Sequence, residues 1–316
     1  MDKFSQNEYW VNHRGVKLYL YRKRLNDDAN RPGFFLVHGS SFSGPGGFDL
    51  HVSGRDDYSF MEKFASYGFD VWTLDHEGYG RSDRTDGNSN VMNGIPELEE
   101  SMKIMEAETG HTAAAFYGSS SGALRAAVYA EAHPERVSKL ILDAFVYTGR
   151  DAPTLIERAK KLDQWNSNNT RPVDRDFFHS IFTRDKPGTS EEAVADALAD
   201  YELALGNTVP TGTYADMCQR LPLCDPKKIR CPVQIIRGEH DGIATEEDLL
   251  AFYNQLEVRD KQFVIIPGQA HVSHLGLNRE RFWHVVRSFL DMPGREDLSR
   301  EKYLWGCSKS NNKKGL

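Results

Sequence analysis

The stretch Ala113 to Leu124 constrains this chain more than any other. An apolar run, Ala113-Ala114-Ala115-Phe116-Tyr117, ends in Gly118-Ser119-Ser120-Ser121-Gly122, and small residues then recur at helical spacing as Ala123, Ala126, Ala127 and Ala130. Gly-x-Ser-x-Gly between a strand and a helix marks a sharp turn that lifts one serine, Ser120, above the end of a sheet in a strained backbone. Glycine at 118 and 122 removes the Cβ atoms that would hold helix and strand apart.

The flanking chain has the rhythm of a parallel sheet. Glu8–Asn12 and Val16–Tyr21, joined at His13-Arg14-Gly15, read as an antiparallel hairpin. Phe34–Val37 is a continuous apolar run suited to a strand buried on both faces, ending in His38-Gly39-Ser40-Ser41 and a glycine-rich loop through Gly47. A helical pattern over 57–67 and a strand over Phe69–Leu74 follow. Ile95, Leu98, Met102 and Met105 mark one face of a helix that stops at Gly110, and Val137–Leu142 reads as a strand. From about Tyr147 to Lys228 strand-like runs vanish, and helical segments are expected at Pro153–Trp165, Asp174–Phe182 and Glu191–Leu205. Strands resume at Val233–Ile236 and Gln262–Ile266, with a helix at Glu246–Leu256 between them and a closing helix bearing Phe282, Val285, Val286 and Phe289. Alternating strands and helices imply a sheet covered on both faces. The expected organisation is a core of 1–146 and 229–292, a helical insertion of 147–228 and a polar tail of 293–316.

Composition narrows the partners. A net charge of −7 with 39% hydrophobic and 27% charged residues is an ordinary globular profile without the basic footprint of a nucleic-acid binder. No apolar run reaches the length of a membrane span, and the first residues lack the basic-then-apolar order of a signal peptide. Cys218, Cys224, Cys231 and Cys307 show no metal spacing, and His271-x-x-His274 lacks further clustered ligands. The expectation is a cytoplasmic protein acting on a small molecule, with no cofactor, metal, nucleic-acid or membrane partner and no readable oligomeric state.

A serine hydroxyl is a poor nucleophile unless a base takes its proton and a further group orients that base. Asp241, after the Val233–Ile236 strand, is the first acid to consider, with Asp143 after the Leu140–Leu142 strand in reserve. His271 is the candidate base, with His274 as its competitor three residues on. Arg150, Arg158, Arg171, Arg175 and Arg184 in the insertion admit a carboxylate-bearing substrate, although arginines scattered on helices are more often solvated.

With His38-Gly39, Asp75-x-x-Gly78-x-Gly80-x-Ser82, Gly118-x-Ser120-x-Gly122, Gly238-x-x-Asp241 and His271 in this order, the chain resembles the α/β-hydrolase superfamily over residues 34–290. The resemblance implies a mostly parallel eight-stranded sheet flanked by helices, with 147–228 as a helical cap. It implies Ser120 as nucleophile, His271 as base and Asp241 as orienting acid. An oxyanion hole would form from the backbone N–H of Ser121 and of Ser40 or Ser41, and Trp165, Phe177, Phe178, Phe182 and Tyr201 of the cap are candidates to line an apolar pocket, Trp165 and Phe178 first among them. Such a chain would cleave an ester or lactone of a small to medium apolar molecule. Carbon–carbon hydrolysis of a ring-cleavage product uses the same triad, a non-catalytic ligand-binding protein is the reading from another class, and an aminopeptidase is less favoured for want of an acidic cluster in the cap.

Overall fold

The computed structural model describes residues 3–27 and 29–294. The chain opens with the hairpin β1 (Phe4–His13) and β2 (Val16–Leu25), longer than the sequence suggests. Then come β3 (Gly33–Val37), α1 (Gly44–Phe48), α2 (Phe60–Ser66), β4 (Asp70–Leu74), α3 (Gly94–Thr109), β5 (Ala114–Ser119), α4 (Ser121–Ala132) and β6 (Val137–Asp143). The insertion holds α5 (Pro153–Ala159), α6 (Leu162–Ser167), β7 (Thr170–Pro172), α7 (Arg175–Thr183), α8 (Glu192–Leu205), β8 (Thr208–Pro210) and α9 (Gly212–Gln219). The sheet resumes with β9 (Val233–Gly238), α10 (Glu246–Gln255) and β10 (Lys261–Ile266), and α11 (Arg279–Leu290) closes the fold.

Three local readings differ from expectation. The glycine-rich loop contains the one-turn helix α1, started by the Ser43 side chain accepting from Gly46 N–H and by proline in its first turn. The helix expected over Pro153–Trp165 breaks at Lys160–Lys161, and the Trp165 indole N–H turns back to donate to the Arg158 carbonyl at 3.0 Å. The insertion also contains strand: β7 and β8 pair antiparallel across Thr170–Pro172 and Thr208–Pro210. These runs carry two prolines and only three residues each, too short for an alternation of apolar and polar residues to show.

The main sheet runs β1-β2-β4-β3-β5-β6-β9-β10. β1/β2 and β2/β4 are antiparallel and every later neighbour is parallel. This is the mostly parallel eight-stranded α/β-hydrolase sheet. The order in which strands are added reverses between the parallel strands β3 and β5, because β4 lies outside β3 while β6 lies outside β5. In open α/β sheets, that switch point opens a crevice at the carboxyl ends of the strands.

Strand residues alternate between faces, and the core divides accordingly. Phe35, Val37, Trp72, Phe116, Leu140 and Leu142 pack under α3 and α4. Phe34, Leu36, Val71, Tyr117 and Ile141 pack under α2 and α11. A third cluster joins Phe178, Ile181, Leu198 and Val209 of the insertion to Phe42, Leu50, Tyr79 and Leu275 of the core loops. Cys218, Cys224 and Cys231 are free thiols. Cys307 and the tail from residue 295 onward lie outside the described residues. Among the described residues, no helix is long and apolar enough to cross a membrane.

Candidate active site

Ser120 follows β5 directly and precedes the first residue of α4, with φ 58° and ψ −124°. A non-glycine residue there is strained, a cost of order ~1–3 kcal/mol sustained only when the surroundings enforce it. They do so by contact. A Cβ on Gly118 would meet the Gly122 carbonyl oxygen at 2.4 Å, and one on Gly122 would meet the Val37 carbonyl oxygen at 2.1 Å. Strand β5, helix α4 and the end of β3 are therefore closer than any larger residue permits. Ser120 N–H donates to the Asp143 carbonyl at 2.9 Å, which pins the turn to β6.

The loop after β3 is held against this turn. The His38 ring bonds the Gly39 carbonyl through Nδ1 at 2.8 Å and accepts His76 N–H at Nε2 at 3.0 Å. Those partners place the ring proton on Nδ1. The Ser40 hydroxyl donates to the Ser121 hydroxyl at 2.7 Å, and the Ser40 carbonyl accepts Tyr79 O–H at 3.2 Å and Arg171 Nη2–H at 3.0 Å. Ser121 opens α4, where backbone N–H groups have no partner within the helix. Ser40 and Ser41 line the same cleft as Ser120.

The other side comes from the ends of β9 and β10. Arg237 donates to the carbonyls of Gly238, Glu239 and Asp241, at 3.0, 2.9 and 2.9 Å, and so staples the turn that carries Asp241. One Asp241 oxygen accepts Ile243 N–H at 3.0 Å and meets His271 Nδ1 at 2.9 Å. His271 Nε2 lies 3.1 Å from Ser120 Oγ. The three residues form one hydrogen-bonded chain. Burial works to raise the Asp241 carboxyl, but the charge and hydrogen bond of His271 outweigh it and hold the pKa below the ordinary value.

The two reserve residues have other partners. Asp143 accepts the Tyr117 hydroxyl at 2.7 Å, and burial raises its pKa well above the usual carboxylate range. His274 is fully buried among Phe48, Phe60, Tyr117 and Phe282, and its Nε2–H donates to the Gly47 carbonyl at 3.1 Å. Burial pulls its pKa to about 3, so it is neutral across the physiological range.

The model of the serine aminopeptidase (S33) family matches residues 47–276, most of the chain. The chain belongs to this family, within the α/β hydrolases. No curated protein sequence matches it. Solved structures with the same fold include an enol-lactonase from Burkholderia xenovorans, 18% identical with a TM-score of 0.63, covering 90% of this chain and 100% of that one. A thermophilic esterase from Thermogutta terrifontis, with malate bound, is 18% identical with a TM-score of 0.64, at 90% and 98% coverage. 2-Hydroxy-6-oxo-6-phenylhexa-2,4-dienoate hydrolase from a Rhodococcus is 14% identical with a TM-score of 0.63, at 92% and 100% coverage.

In this α/β hydrolase the inserted helices wall the cleft. The space directly above Ser120 is about 20 Å³, bounded by Gly39, Ser41, His271 and, from the insertion, Arg158, Arg184 and Tyr214. That is room for roughly one water molecule. A second cavity of about 600 Å³ shares Arg158, Arg184 and Tyr214 and extends past Trp165, Arg171 and Phe177. Its size suits a small-molecule ligand. Of the five aromatic residues considered for a pocket, Trp165 and Phe177 border this cavity and Phe178, Phe182 and Tyr201 do not. On α7 the neighbour Phe177 faces the cavity, while Phe178, fully buried, fills the cluster that joins insertion to core.

Sequence reasoning missed two residues. Tyr214 on α9 lies between the guanidinium groups of Arg158 and Arg171, at 3.7 and 4.2 Å from its ring centroid. Asp185, after α7, brings a carboxylate oxygen to the Asp241–His271 pair, with one ligating atom from each of the three within 4.8 Å of the others. Neither sits in a motif; both reach the site through the packing of the insertion. A similar cluster of Asp49, His51 and Glu62 has both of its carboxylates on the buried Lys23 ammonium, Asp49 at 2.7 Å and Glu62 at 3.0 Å.

Proposed function

We propose that this α/β hydrolase cleaves an ester or lactone of a small to medium molecule through an acyl-enzyme on Ser120. The carrying observation is the hydrogen-bonded chain Ser120–His271–Asp241, with the serine held at a positive φ. His271 Nε2 takes the hydroxyl proton as Ser120 Oγ bonds to the substrate's carbonyl carbon. The developing oxyanion is received by the N–H groups of Ser121 and of Ser40 or Ser41. Loss of one such donor typically costs ~2.7–4 kcal/mol of transition-state stabilisation. The alcohol leaves with the proton held by His271. Water then gives a proton to His271 and its oxygen to the acyl carbon, and Ser120 recovers its proton. Asp241 keeps the imidazole in the tautomer that presents Nε2 to Ser120 and stabilises the imidazolium. The insertion acts as a cap: substrate lies in the larger cavity and reaches Ser120 past Arg158 and Tyr214.

The family's name invites an aminopeptidase reading, which requires a carboxylate for the substrate's ammonium. The cavity is bordered by Arg158, Lys161, Arg171 and Arg184 against Glu157 and Asp185 alone, and Asp185 is engaged by Arg184 at 3.3 Å. This lining favours an ester over a free amine. A non-catalytic binding role leaves the aligned triad without a use.

The test is turnover of 4-nitrophenyl esters and labelling by a fluorophosphonate, with wild type beside Ser120→Ala and His271→Ala. Turnover and labelling that both substitutions remove are expected. Neither turnover nor labelling in the wild type would overturn the proposal.

A further inference from the structure

Two arginines at this site are buried without a counter-ion. Arg158 is 9% exposed and Arg171 5%. Among the described residues, no carboxylate comes within 4.0 Å of either, although the carboxylates of Glu157 and Asp185 border the same cavity. Glu157 pairs with Lys160 at 2.6 Å and Asp185 with Arg184. The Arg158 guanidinium stacks on Tyr214 and, among the described residues, has Met217 Sδ as its one hydrogen-bond partner, at 3.6 Å. Arg171 stacks on Phe177 and Tyr214, bonds the Ser40 carbonyl and the Ser41 hydroxyl, and leaves its buried Nε without a partner.

A buried charge that stays unpaired is costly, and folded proteins almost always pair it or bring it an ion. Burial pulls the Arg158 pKa below its ordinary value, yet a guanidinium remains protonated in proteins. The acidic group between the two arginines is the Tyr214 phenol. Burial works to raise its pKa, but Arg171, Arg158 and Arg184 bring it down to about 7. A phenol shifted toward ionisation offsets part of the charge of the two guanidinium groups, and a ligand anion would offset the rest.

We infer that Arg158 and Arg171 form an anion subsite that takes a carboxylate carried by the substrate, placing its ester or lactone carbonyl at Ser120. The geometry supports each step. Arg158 borders both the space above Ser120 and the larger cavity, and Arg171 is tied to the Ser40 carbonyl in the loop beside Ser120. A planar guanidinium grips a carboxylate through two parallel hydrogen bonds, which fixes orientation as well as affinity. The aromatic rings of Trp165, Phe177 and Tyr214 supply apolar wall around the charged pair. The carboxylates of Glu157 and Asp185 on the same wall favour a monoanionic group over a phosphate dianion. The substrate is then an acidic ester or lactone, not the wholly apolar molecule that aromatic residues in the insertion suggest. As to reaction this rests on the proposed serine hydrolase; as to binding it rests on the arginines alone.

The experiment separates the two. Calorimetric titration of the wild-type protein with glutarate, glutaramide and inorganic phosphate reads the subsite without chemistry. Glutarate should bind, glutaramide should bind at least ~10-fold more weakly, and Arg158→Met and Arg171→Met should each weaken glutarate by at least ~10-fold. The melting temperature of Arg158→Met should hold or rise, because an unpaired buried charge is replaced by an apolar chain of similar length. A purely structural arginine would lose stability instead. Turnover of 4-nitrophenyl hemiglutarate relative to 4-nitrophenyl pentanoate then reads the substrate class, and that ratio should fall at least ~10-fold in either variant. Glutarate that does not bind, binds no better than glutaramide or binds equally to both variants overturns the subsite, whatever the esterase activity. Tighter binding of phosphate overturns the choice of carboxylate. Arginine-dependent glutarate binding without turnover or fluorophosphonate labelling supports the subsite and overturns the hydrolase.

Discussion

The two walls of the cleft are built on opposite electrostatic plans. On the core side, the ionisable residues of the hydrogen-bonded chain and their neighbour have internal partners: Asp241 has His271 and the Ile243 N–H, His271 has Ser120, and Asp143 has Tyr117, although the second carboxylate oxygen of Asp241 and of Asp143 is buried without one. On the insertion side, Arg158 and Arg171 are buried against aromatic rings, and among the described residues no carboxylate lies within 4.0 Å of either. Internal satisfaction holds a geometry ready before substrate arrives, which is what positioned catalysis requires. Unsatisfied charge is the mark of a surface completed by a ligand. Under the proposed function the core wall would carry the reaction and the insertion wall would select the substrate.

The sharpest way to break this comparison is to unmake the core wall. Ser120→Ala or His271→Ala should lower kcat by ~10⁴–10⁶-fold with circular dichroism unchanged, as expected for members of one nucleophilic unit. A loss below tenfold would move the chemistry away from Ser120. Asp241→Asn should cost ~10³–10⁴-fold in kcat, because the amide favours the wrong imidazole tautomer. Asp143→Asn should change kcat by less than ~3-fold, since Asp143 answers to Tyr117 and not to His271. Steady-state kinetics on one nitrophenyl ester ranks all four. Equal losses at 143 and 241 would show that the acid function is shared.

The turn itself can be tested through stability. Gly122→Ala puts a methyl group 2.1 Å from the Val37 carbonyl oxygen and 2.5 Å from that of His38, both backbone atoms that cannot yield alone. The variant should lose at least ~2 kcal/mol in urea denaturation, in line with overpacked interior sites. An unchanged midpoint would mean that β3 and α4 part easily, and the strained serine would then have no enforcing frame.

How much of this was legible follows the same division. The strands of the core show as apolar runs, and the residues after β5, β9 and β10 stand at conspicuous local patterns, so Ser120, Asp241 and His271 could be singled out one by one. The sequence favours His271 as base but keeps His274, in the same loop, as a competitor; packing sends His274 into the aromatic cluster under Tyr117. In the insertion, helical periodicity locates α7 and α8 but is silent on which face meets which neighbour. Phe177 and Phe178 are adjacent, and one lines a cavity while the other fills a core. Five arginines look alike in sequence; Arg175 is solvated, pairing with Asp196 at 3.0 Å, while Arg158 and Arg171 are buried. Burial of that kind is settled by residues far apart in the chain, such as Tyr214, and leaves no local signature.

The seam between the two walls offers the mildest test and the one most specific to it. Glu202 on α8 of the insertion accepts both the N–H and the hydroxyl of Ser43, at 2.9 and 2.6 Å, in the loop after β3. Burial raises its pKa from the usual carboxylate range to about 8, Ser43 opposing and the nearby Asp75 adding to the rise. Between about pH 4.5 and 8 the folded protein therefore keeps a proton that the unfolded chain has released. Stability contributed by this group is present in full at low pH and is lost as pH rises through that window. Glu202→Gln keeps an oxygen to accept from Ser43 but has no proton to lose. The variant should melt with the wild type near pH 4.5 and progressively above it as pH rises, by ~1–3 kcal/mol at pH 8.5. A gap that does not vary with pH would mean that water reaches Glu202 and that insertion and core meet across a wet seam. The partition into a reacting wall and a selecting wall would then be looser than the contacts at Ser43 imply, with the insertion free to move as substrate enters.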